Sequence, residues 1–199
     1  MNYKNPYEKL SGKLNNRKLV NAGFSEKTYD TGSVKLNYVV GPKNGPSLLL
    51  IPAQMGMWES YKKVLLPLSK IFQVYAIDVR GHGKSSWTPG HYSWKIIGED
   101  IKIFIENVIK QKVIISGNSS GGIIALWCAA NIPEYISGII LEDAPIFSAE
   151  MPRFKEQDKF VYNGLKHLVN QIGDIPDRDL ANYFQNMEVP ASDKRIKRI

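Results

Sequence analysis

The sequence predicts an α/β fold: a mostly parallel β-sheet with helices on both faces, entered through an antiparallel hairpin. Three observations carry that expectation. Between Leu48 and Pro145, short apolar runs alternate with longer stretches of helical period. Runs such as SLLLIP and KVIIS lack polar alternation, as strands buried on both faces do. An antiparallel hairpin pattern precedes the alternation, and the alternation itself implies parallel strands joined by right-handed crossovers.

The elements follow in order. Residues 1–22 are polar and read as a leader with some helix. FSEKTYDTGSVKLNYVVG alternates on either side of Thr31-Gly32, which predicts a hairpin with strands near 24–30 and 34–40. PKNGP is a turn and SLLLIP the first buried strand. In MWESYKKVLLPLSKIF, the residues Trp58, Tyr61, Val64, Leu65, Leu68 and Phe72 recur at helical spacing, with Pro67 as an interruption. QVYAIDVRGHG is the second buried strand and runs into a Gly-rich loop. SWKIIGEDIKIFIENVIKQ sets Ile96, Ile97, Ile101, Phe104, Ile105 and Val108 on one helix face. KVIIS is a strand, SSGGIIALWCAANIP a helix and ISGIILEDAP a further strand. After Pro145, FKEQDKFVYNGLKHLVNQIG and DRDLANYFQNME read as two amphipathic helices with no strand between them. The expected organisation is a polar leader over 1–22, an α/β core over 23–145 and the start of a helical cap over 146–199.

Composition excludes several classes. The chain has 199 residues, 43% of them hydrophobic, enough for one domain with a core. No apolar run approaches the roughly 20 residues that span a bilayer. The first twenty residues contain no apolar signal-peptide region, so a cytoplasmic location is expected. The net charge of +7 lies at the ends, because residues 23–190 hold 17 Lys/Arg and 17 Asp/Glu. No basic stripe crosses the body, which argues against nucleic acid. The single cysteine, Cys128, sits among apolar neighbours and reads as a buried thiol.

In open α/β sheets, chemistry collects at the carboxyl ends of the strands. The segment GNSSGG matches G-x-S-x-G in one register only: Gly117 and Gly121 flank Ser119, whereas Asn118 stands two residues before Ser120. A strand that turns at once into a helix strains its corner residue, and the positions two away must be nearly free of side chain. The corner hydroxyl then stands at a helix N-terminus, where developing negative charge is favoured. A phosphate loop at Gly83-Lys84-Ser85 would need glycine at position 78, which is Asp78. Neither a nucleotide, another cofactor nor a metal is implied.

Three segments together resemble the α/β-hydrolase fold superfamily, in its cap-bearing branch: LLLIPAQMGMWESY, VYAIDVRGHGKSS and GNSSGGIIALWCAANIPEYISGIILEDAP. The resemblance implies a three-layer sandwich with Ser119 as nucleophile. It implies backbone N–H groups of Ser120 and Gln54 as the oxyanion hole. Pro52-Ala53 stands where the family has His-Gly, and Trp58 is placed to touch substrate. It also implies an acid and then a histidine after Ser119. Asp143, just past the next strand, is the candidate acid. No base is identified: His82 and His91 precede the serine, and His167 falls within the cap region. The strands that would carry the base are expected beyond residue 199.

The expected activity is serine-dependent hydrolysis of a small or medium apolar ester, lactone or similar carbonyl compound. A nucleophilic serine argues against the haloalkane and epoxide branches, which carry aspartate there. The alternatives are a catalytically silent chain and a cofactor-free haloperoxidase-type reaction. An uncovered ISGIILE edge would also make the chain oligomeric or prone to aggregate.

Overall fold

Six strands make one sheet: β1 (Ser25–Asp30), β2 (Lys35–Val40), β3 (Ser47–Ile51), β4 (Gln73–Ile77), β5 (Val113–Asn118) and β6 (Ile136–Glu142). Their spatial order is β1-β2-β4-β3-β5-β6. The hairpin pairs Ser25 with Val40 through Asp30 with Lys35, antiparallel, and β2 runs antiparallel to β4. From β4 to β6 all neighbours are parallel, with Leu49 opposite both Tyr75 and Ile115. This computed structural model describes residues 5–147 and, beyond them, the helical positions 156, 163, 166, 170, 179 and 182. The two helices expected after Pro145, with His167 and the segment VPASDKRIKRI, lie largely or wholly outside the described residues.

The chain divides into two compact units, Met1–Pro145 and Ile146–Ile199. The sheet belongs to the first. Its helices are α1 (Arg17–Asn21), α2 (Lys62–Leu68), α3 (Trp94–Phe104) and α4 (Ser120–Asn131). A 3-10 turn at Trp58–Tyr61 leads into α2, and Pro67 sits in its last turn, one residue before the helix ends. Ser93 caps α3 through its side chain, which accepts from the Ile96 N–H. A π turn over Ile105–Ile109 extends α3, and Lys110 closes it at φ 59°.

Burial follows the two-faced pattern read from β3. Leu49 and Ile51 enter one core with Phe104, Ile101, Ile115 and Ile124, on the α3–α4 side. Leu48 and Leu50 enter the other with Leu19, Trp58, Tyr61 and Leu65, on the α1–α2 side. All four are at most 3% exposed, and each contributes about 1.5–3 kcal/mol of transfer free energy. Edge-to-face contacts of Phe104 with Tyr38, at 4.8 Å, and with Tyr75, at 6.2 Å, fill the first core. Gly98 is the contact point of α3 with α4, because a Cβ there would overlap the Trp127 ring. Cys128 is fully buried, and burial pushes its thiol up to about 12.

The leader is stitched to the core. Leu19 is 2% exposed, and Asn5 donates to the carbonyls of Gly83 and Ser85. Ser11 donates to Asn37 of β2. Hydrogen bonds from Asn5 and Ser11 thus add to the burial of Leu19 in holding residues 5–22 to the sheet.

Candidate active site

The carboxyl ends of β3, β4, β5 and β6 lie side by side, so the loops that follow these four strands share one edge of the sheet. Ser119 links β5 directly to α4 and has φ 50° and ψ −114°. That is strained backbone for any residue with a side chain. Its N–H donates to the Glu142 carbonyl at 2.8 Å, which ties the corner to the end of β6. Both flanking glycines are required by contact. A Cβ on Gly117 would overlap the Gly121 carbonyl, and one on Gly121 would overlap the Ile51 carbonyl. The same contact brings the end of β3 against the first turn of α4.

The segment after β3 is a tight turn. The Gly56 N–H donates to the Ala53 carbonyl at 2.9 Å, Met55 takes φ 64°, and Gln54 is exposed at the turn. Ser120 begins α4, and like every residue in the first helical turn it has no intrahelical acceptor for its N–H. Gln54 and Ser120 therefore stand on the two segments that Gly121 packs together. Trp58 is placed differently from the expectation. It is 2% exposed, its ring packs in the α1–α2 core, and its indole N–H donates to Glu26 at 3.1 Å. Its ring serves the core rather than a surface pocket, because the indole N–H finds its acceptor inward.

Asp143 follows β6 at φ 50° and is exposed. Its neighbour Glu142 turns inward: the Ser116 hydroxyl donates to Glu142 Oε1 at 2.5 Å, and Asn118 Nδ2 donates to the Glu142 carbonyl. Glu142, Ser116 and Asn118 form the polar end of a cavity of about 580 Å³, whose apolar wall includes Leu50, Leu68 and Ile140. Tyr61, also on this wall, has its phenol pushed up by burial and then by the Glu142 charge.

Beneath the turn lies a polar cluster to which the sequence reading assigned no role. Asp78 is fully buried at the end of β4. Its Oδ1 accepts from the Trp58 N–H at 2.7 Å, and its Oδ2 accepts from Asn37 Nδ2 at 2.9 Å and the Lys84 N–H at 3.0 Å. Burial pushes its carboxyl above the ordinary range, and those three hydrogen bonds pull it back. Lys84 Nζ pairs with Glu26 at 2.6 Å. Arg80, two residues on, forms a buried two-pronged pair with Asp100 at 2.6 and 2.8 Å. The signal for this cluster was present as Asp-x-Arg-Gly-x-Gly, but its partners come from β1, β2 and α3.

His82 Nδ1 donates to the Arg80 carbonyl at 3.1 Å, and His91 is exposed. Among the described residues no hydrogen bond joins a histidine to Ser119. Nor does any group of three His, Cys, Asp or Glu side chains there offer a metal site. No described helix is long and apolar enough to cross a membrane.

A strand-to-helix corner at a strained serine, set on this sheet order, defines the α/β-hydrolase class. The family model described as alpha/beta hydrolase fold matches residues 46–199, and the chain belongs to that family. It is 30% identical over 120 residues to epoxide hydrolase 4 of Mus musculus, an alignment covering 58% of this chain and 33% of that protein. It is 29% identical over 122 residues to a putative esterase/lipase of Haemophilus influenzae, covering 61% and 41% of the two chains. A solved hydrolase from Pseudomonas aeruginosa shares the fold at a TM-score of 0.62 and 22% identity, over 82% of this chain and 62% of that one. The chain thus spans well under half the length of both curated relatives.

Proposed function

We propose that Ser119 is the nucleophile of a carbonyl-ester hydrolase. Its Oγ attacks the substrate carbonyl carbon. The N–H groups of Ser120 and Gln54 receive the negative charge that develops on the carbonyl oxygen. Backbone donors of this kind are worth about 3 kcal/mol each where water is excluded. The observation that carries the reading is the backbone of Ser119: a positive φ between two glycines that tolerate no Cβ. The substrate class is a small or medium apolar ester or lactone, in keeping with the esterase/lipase relative. Asp143 is the candidate acid. The segment from residue 146 is proposed as the start of a cap.

The hydroxyl needs a base to attack at neutral pH, and among the described residues no histidine hydrogen-bonds to Ser119, the His82 ring contact being to the Arg80 carbonyl. That arrangement favours a second reading, a chain silent on its own that keeps the elbow as scaffold. A fluorophosphonate probe separates the two. Covalent labelling of the folded wild-type chain that vanishes in Ser119→Ala supports the nucleophile. Absence of labelling in a folded wild-type chain supports the silent reading.

A further inference from the structure

We propose that Asp78 is a positioning residue for the oxyanion turn, holding Gln54 in register with Ser119 through the backbone of Trp58. The proposal rests on Ser119 and Gln54 acting as described above.

The turn that carries Gln54 has two ends. One is β3, fixed by sheet pairing and by the close approach of Gly121 to the Ile51 carbonyl. The other is Trp58, the first residue of the 3-10 turn before α2. Trp58 is gripped at both of its N–H groups. The main-chain N–H donates to Asp78 Oδ1 at 2.7 Å, and the indole N–H donates to Glu26 Oε1 at 3.1 Å. One amide, Asn37 Nδ2, bridges the two carboxylates at 2.9 Å each. Lys84 closes the cluster, its N–H on Asp78 and its ammonium on Glu26.

The construction is dedicated to Asp78. Gly83, at φ 50°, brings the loop so near that a Cβ there would overlap the Asp78 carboxylate. Among the described residues no cation pairs directly with Asp78, since Arg80 is committed to Asp100 and Lys84 Nζ to Glu26. Burial without an ionic partner is an unfavourable way to stabilise a fold. The carboxylate is held by three N–H donors from β2, the Trp58 turn and the Gly-rich loop, and joining those three segments is the work its geometry performs. Between the gripped Trp58 and the fixed end of β3, only residues 52–57 remain, and the Gly56–Ala53 hydrogen bond tightens them further. A small shift at Trp58 therefore reaches Gln54 directly.

The test uses the full chain, wild type and Asp78→Asn, which keeps the shape but replaces one acceptor oxygen by a donor. Two measurements are made: hydrogen–deuterium exchange by peptide, and fluorophosphonate labelling as a function of probe concentration. The expected exchange increase is confined to peptides covering 53–61 and 82–86, with β3 and β5 unchanged. The limiting labelling rate should fall roughly tenfold to a hundredfold, as for a misplaced oxyanion donor, with the half-saturating probe concentration unchanged. If exchange rises uniformly, the variant has lost its fold as a whole. Gly83→Ala, which displaces the same carboxylate from the other side, then replaces it with the same expected pattern. Labelling at the wild-type rate, or exchange that spares 53–61, in a folded variant overturns the proposal. Ser119→Ala that labels like wild type overturns the nucleophile instead, and the exchange pattern still decides whether Asp78 holds the turn.

Discussion

At the scale of single residues, the site depends on side chains that are missing as much as on those present. Gly121 lies under the end of β3, and its would-be Cβ meets backbone oxygen, which cannot swing aside as a side chain would. Gly121→Ala must therefore part α4 from β3 or fail to fold. We expect a loss of about 3 kcal/mol of stability, at the upper end of single-residue effects, together with loss of any probe labelling. Urea unfolding followed by tryptophan fluorescence measures the first. An Ala variant as stable as wild type would contradict the close approach. This feature was legible in the sequence, because G-x-S-x-G between a β-branched strand and an apolar helix has one register and one geometric purpose. The inward turn of Glu142 was not. Asp143 and Glu142 are adjacent, and alternation alone does not say which faces the cavity until the registry of β6 on β5 is known.

At the scale of elements, the strands and helices were readable because burial on both sheet faces leaves long apolar runs. LLLI of β3 shows this, dividing its four side chains between two cores. What could not be read was the polar stitching between elements far apart in the chain. Arg80 and Asp100 show the difference: each lies within an element the sequence identifies, yet nothing local pairs them. Their side chains are 6% and 3% exposed, and both guanidinium prongs meet the carboxylate. The pair fixes the loop after β4 to the middle of α3. Removing one member leaves a buried charge without its partner, which costs about 3–5 kcal/mol. Asp100→Ala is thus expected to lower the unfolding midpoint strongly. Arg80→Met with Asp100→Leu, which removes both charges, should recover much of the loss. A double variant no more stable than Asp100→Ala would show that the pair acts through specific hydrogen bonds, such as those from Arg80 to Ser33 and Thr88.

At the scale of the whole molecule, the two edges of the sheet are unlike. The outer edge at β1 carries the exposed charges of Lys27 and Asp30, which discourage pairing with another chain. The outer edge at β6 reads ISGIILE, uncharged until its last residue, and has no partner strand among the described residues. Ile140 on β6 is 50% exposed and borders the open cavity beside α2. In a parallel sheet such a strand is normally covered on both faces and paired on both sides. A row of unpaired backbone groups flanked by exposed isoleucine is a template for a further strand. The 199-residue chain by itself should therefore associate with increasing concentration. Static light scattering from low to high micromolar protein is expected to show a rising mass. Ile140→Lys, which places a charge on the exposed face without touching the core, should shift that rise to higher concentration. A monomer of constant mass across the range would show that β6 is capped by some part of the chain itself, and the expectation of self-association would fall.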